Sequence, residues 1–111
     1  MGLISGLIRQ QAMQSMAMDL EYKIETLSAT KMQLSSQGLE LGEISTDLDQ
    51  DSPEVKHLEQ RRKKLELMEK KIDAEMTKCQ TMLKMAEKEM EFASKMVDSG
   101  IKRFFGQPSG Q

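Results

Sequence analysis

Apolar or small side chains recur at every seventh position along most of this chain, and that repeat constrains the fold more than any other property. From Gly6 it passes through Met13, Leu20, Leu27, Leu34, Leu41 and Leu48. A second ladder runs through Leu58, Leu65, Ile72, Cys79, Ala86 and Ala93. Because an α-helix makes a turn in about 3.6 residues, a strict seven-residue repeat keeps one narrow stripe aimed at a neighbouring helix, as in coiled coils. The ladders are out of phase, and between them stands Asp49-Gln50-Asp51-Ser52-Pro53. Proline removes a backbone donor and clashes inside a helix, whereas Ser-Pro suits an N-cap followed by a first helical residue. Glu54 adds negative charge where the helix dipole favours it.

The predicted fold is therefore all-α: a long antiparallel two-helix coiled-coil hairpin. Helix 1 is expected over about 3–48, a turn over 49–53, helix 2 over about 53–105, and a flexible tail over 106–111. Composition agrees, since 111 residues with 4% aromatics, no Trp and 31% charge form one domain without a thick globular core. Gly38 and Gly42 each cost about 1 kcal/mol against Ala in a helix interior. They leave room for a kink or short break around Ser35–Gly38; the alternative use of these glycines is close approach of another helix.

Folding about the turn places Leu48 opposite Val55, Leu41 opposite Arg62 and Leu34 opposite Glu69. The same register sets Lys31 against Ile72, Leu27 against Met76, Ile24 against Cys79 and Leu20 against Leu83. Ala17 then meets Ala86, Met13 meets Met90, and Gly6 meets Val97. Leu58 and Leu65 complete the seam, and Lys31 lies one turn from Glu69, so these two charges are expected to pair.

One seam leaves many apolar side chains over. Ile4, Met18 and Met32 form a second stripe on helix 1, and Met68, Met82 and Met96 another on helix 2, beside Met85 and Phe92. Burying an apolar side chain contributes about 1.5–3 kcal/mol, while ordering a residue costs about 1.5 kcal/mol. A lone two-helix hairpin is thus near balance, and the leftover stripes, with Phe104 and Phe105, are expected to join subunits into a homo-oligomer. The eleven methionines serve either as adaptable packing or as a repacking surface for another helical protein.

The hairpin also gathers both apolar chain ends, Leu3, Ile4, Leu7 and Ile8 with Val97, Ile101, Phe104 and Phe105, next to Lys102 and Arg103. Local capping, subunit docking and contact with a membrane surface all fit that composition. No segment reaches the ~18 apolar residues of a membrane span, and the start lacks a basic leader, so no classical signal peptide is read. An extracellular filament exported without a leader and a cytoplasmic location both stay open. The formal net charge of −2 and the lack of aromatic interleaving with the lysines argue against a nucleic-acid partner.

Little in the chain supports catalysis. His57 is the only histidine and sits among charges; Cys79 is the only cysteine and sits on the apolar ladder, as a small core residue or an intersubunit thiol. There is no Cys/His metal spacing, no phosphate-cradling glycine loop, and the acidic turn lacks the Gly and closing Glu of a calcium loop. No enzyme, cofactor or metal is expected.

In layout, Ser52-Pro53 before helix 2 and Ile101 to Phe105 at its end, the chain resembles the needle subunits of type III secretion, mainly over residues 50–105. The resemblance implies hairpins stacked helically around a narrow channel, with the C-terminal helix lining it. This chain is longer than such subunits and its first helix has a more regular heptad; it also lacks the Trp-x-Gly turn of type VII secreted hairpins.

Overall fold

A computed structural model describes residues 2–105; the tail expected at 106–111 lies outside the described residues. Two α-helices account for nearly all of them, α1 (Gly2–Thr46) and α2 (Pro53–Phe105), and no strand occurs among the described residues. The helix α1 runs unbroken through Gly38 and Gly42, one continuous helix as its predicted span implies. Buried Leu34 and half-buried Leu41 flank Gly38, and Leu41 immediately precedes Gly42. Their packing offsets the intrinsic glycine penalty, as tertiary contacts commonly do.

The end of α1 also differs from expectation. The Asp47 N–H donates to Ile44 O at 3.2 Å and the Leu48 N–H to Ser45 O at 3.4 Å, tightening the chain into i→i−3 bonds. The hydroxyls of Ser45 and Thr46 donate to the carbonyls of Gly42 (2.9 Å) and Glu43 (2.7 Å). No cation stands in the last turn to favour continuation, and Asp47, Asp49 and Asp51 follow. Leu48, though on the seven-residue phase, therefore falls past the helix and is exposed rather than closing the seam.

The start of α2 has the chemistry its sequence announces. Ser52 Oγ accepts from the Val55 N–H at 3.3 Å, Pro53 takes the first helical position, and Ser52 N–H donates to Asp49 O at 3.0 Å. Glu54 lies in the first turn and Lys102 and Arg103 in the last, each on the side the helix dipole favours.

The chain divides into two compact units. A turn unit spans Ile24–Lys78, and a terminal unit combines Met1–Lys23 with Cys79–Gln111. In the turn unit the two helical segments are antiparallel: Lys31 reaches Asp73, Ser35 reaches Glu69, and Gly42 lies against Arg62. Leu34 and Val55 are buried there, and Ile24, Leu27, Leu41, Leu58, Leu65, Ile72 and Met76 are half-buried. Nothing packs within 4 Å of a Cβ built on Gly38, so that glycine admits no close helix within the unit.

The terminal unit is also antiparallel and packs more tightly. Its buried residues are Gly6, Ala17 and Leu20 from α1 and Cys79, Ala86, Ala93 and Gly100 from α2. Those four from α2 are all small and recur every seven residues, which lets the backbones approach. A Cβ on Gly100 would stand 2.6 Å from Leu3 N, against main chain that cannot swing aside. One on Gly6 would stand 3.0 Å from Val97 Cγ2 and 3.1 Å from Ala93 O. Gly100 extends the seven-residue ladder of Cys79, Ala86 and Ala93 by one more step and is a contact point. Among the described residues no polar or charged side chain is fully buried.

Candidate assembly surface

Spacing along the two helices creates an apolar flank in the terminal unit. On α1, Arg9 and Met16 are seven apart; on α2, Met82, Glu89 and Met96 are seven apart, with Met85 and Phe92 on the neighbouring row. Met13, Met16, Met82, Met85, Ala86 and Glu89 line an open groove of about 250 Å³. Arg9 borders the same flank. Its Nε stands 4.0 Å from Glu89 Oε2, its guanidinium lies 5.7 Å from the centroid of the Phe92 ring, and its Nη1 donates to Met96 Sδ at 4.0 Å. Arg9 had no part in the sequence reading; a lone cation in an apolar stretch gives no hint of its partners until the register is known.

Among the residues expected to join subunits, Ile4, Met18, Met32, Met68, Met85, Phe92, Phe104 and Phe105 are exposed. Met82 and Met96 are half-buried within the terminal unit's own packing, Met96 Cβ lying against Gly6. Among the expected seam residues of this unit, Leu20 and Cys79 are buried and Met13, Leu83 and Met90 half-buried. Exposed Leu7, Ile8, Tyr22 and Leu67 enlarge the apolar surface beyond the expected set.

The apolar surface is unevenly shared. Of the large hydrophobic residues left exposed, eleven belong to the terminal unit and six to the turn unit. Charge is distributed the other way: the turn unit carries 21 of the 34 charged side chains and the terminal unit 13. The terminal unit thus combines more exposed apolar surface with fewer charges than the turn unit.

An ion pair in the turn unit corrects an expectation. Lys31 Nζ sits 2.7 Å from Asp73 Oδ1, not beside Glu69, which accepts instead from the Ser35 hydroxyl at 3.2 Å. The flexible lysine stem carries the ammonium off the seam to a flank where both partners keep part of their water, lowering the desolvation cost. The hydrogen bond to Asp73, then that carboxylate's charge, hold Lys31 above its ordinary 10.5, with a smaller push from Glu69. A cation whose folded pKa is raised stabilises fully below the unfolded value and loses that stabilisation as pH climbs through the folded one. Thermal melts followed by circular dichroism should therefore show wild type losing more stability than Lys31→Met above about pH 10.5, with parallel curves near neutrality. Parallel curves at every pH would remove the pair's role. The effect is expected to be small, because both side chains are substantially solvated.

Among the described residues no group of three His, Cys, Asp or Glu could hold a metal, and no helix is long and apolar enough to cross a membrane. No family model matches the chain, nor does any curated protein or solved structure.

Proposed function

We propose that this chain is a structural, self-assembling helical-hairpin subunit whose copies join through the terminal unit into a homo-oligomer, extending into a filament or tube. The observation that carries this reading is the concentration of exposed large apolar side chains on the unit with fewer charges. Covering each such exposed apolar side chain contributes about 1.5–3 kcal/mol, which favours association through this unit. The needle-subunit layout points the same way, toward hairpins stacked helically around a narrow channel.

Light scattering and negative-stain microscopy across a dilution series test the proposal. The mean mass should rise with concentration well above the 12.6 kDa of one chain, and elongated particles should appear. A particle that stays at one chain's mass throughout would end this reading.

The methionine groove favours a second reading, a coiled-coil adaptor, chaperone or secreted effector for another helical protein. Methionine side chains repack against differently shaped partners, which suits a surface with several clients. That reading expects a discrete dimer or tetramer and a complex with a second protein that Met82→Glu abolishes.

A further inference from the structure

The terminal unit carries a groove and a group of matching chemistry that one chain cannot bring together. The groove is the cleft of Met13, Met16, Met82, Met85, Ala86 and Glu89. The matching group is the last turn of α2. Leu3, in the first turn of α1, packs on Gly100, and Ile101–Phe105 run on beyond it, every residue exposed. Phe104 and Phe105 are 74% and 79% exposed and meet edge to face, with ring centroids 5.0 Å apart. Met85 and Phe105 lie on the same continuous helix, separated by on the order of 30 Å at 1.5 Å per residue, so the aromatic pair cannot fold back into its own groove.

We propose that the Phe104–Phe105 tip of one copy seats in the Met16–Met82–Met85 groove of a second copy, joining hairpins head to tail. The inference rests on the self-assembly reading and names its contact. Thioethers and aromatic rings attract one another, and unbranched methionines adjust to the ring that enters. Charge is complementary as well. The groove's one charged lining residue is Glu89, whose Arg9 partner stands at 4.0 Å, the outer limit of ion pairing. The incoming tip carries Lys102 and Arg103 directly before its two rings, bringing cations to that carboxylate. Because the contact joins two different patches, it leaves a free tip and a free groove at each step. It therefore closes into a ring or continues as a filament.

The test uses the full chain in light-scattering dilution series of wild type, Phe104→Ser/Phe105→Ser, Met82→Glu, and the two combined. The tip variant and the groove variant should each raise the concentration for half-assembly roughly thirty-fold, the shift a central anchor residue produces. The combined variant should go little further, because both changes remove one contact. As an arm that does not depend on stability, Phe105→Cys chains mixed with Met85→Cys chains, both carrying Cys79→Ala, should form a disulfide across the two chains. Each variant alone should cross-link far less. If wild type assembles but the tip variant does so at unchanged concentration, the tip contact is wrong while self-assembly stands. A wild type that never assembles fails both. Tip-dependent binding to anionic phosphatidylserine vesicles, with assembly untouched, would assign the aromatic pair to a membrane surface and overturn the proposal.

Discussion

Ala93→Leu should destabilise the hairpin by about 3 kcal/mol, at the upper end of what overpacking a tight interior costs. Ala93 is completely excluded from solvent, and its carbonyl lies only 3.1 Å from where Gly6 would carry a Cβ. Leucine is nearly as good a helix former as alanine, so the helix itself loses almost nothing. What is lost is the backbone approach: three added carbons push α1 away from α2, and the glycine and alanine contacts flanking the site open together. Ala74→Leu, at an exposed position on α2, is the control and should change stability by less than about 0.5 kcal/mol. Urea unfolding followed by circular dichroism separates the two. Equal midpoints would show that the small-residue ladder is incidental to packing.

Leu34→Ala should cost a comparable amount for the opposite reason, a cavity in place of an overfilled seam. Leu34 is 7% exposed in the turn unit, and deleting a buried leucine typically costs about 2–5 kcal/mol. A two-helix seam can partly collapse, which places the expectation near 3 kcal/mol, toward the lower part of that range. Five residues on, Leu39 is 71% exposed, and Leu39→Ala should leave the dilute hairpin's stability within about 0.5 kcal/mol. The same unfolding experiment, run where the chain is monomeric, distinguishes them. Similar losses at both positions would mean that the seven-residue phase does not define the buried face.

These two contrasts show how far periodicity carries. The ladder through Leu20, Leu27 and Leu34 marked the inward face of α1, and the structure buries or half-buries each of them. The Ser52-Pro53 pair marked the start of α2, because an N-cap and a proline with no N–H to lose act within a few residues of each other. Local rules fail where a competing interaction is not local. Leu48 kept the phase of the ladder, yet the hydroxyls of Ser45 and Thr46 and the bonds at Asp47 ended the helix before it. Arg9 has a partner set only because folding returns Glu89, Phe92 and Met96 to its side.

The sequence by itself determined the helical class, the turn and the stripe each helix turns inward, because these follow from backbone geometry repeating every few residues. Only the tertiary structure decided how closely the backbones meet at Gly6 and Gly100, that Lys31 reaches Asp73 instead of Glu69, and how the apolar surface divides between the units. Periodicity states which direction a side chain points. Separation, and hence partner, depends on how all the side chains between two helices fit at once.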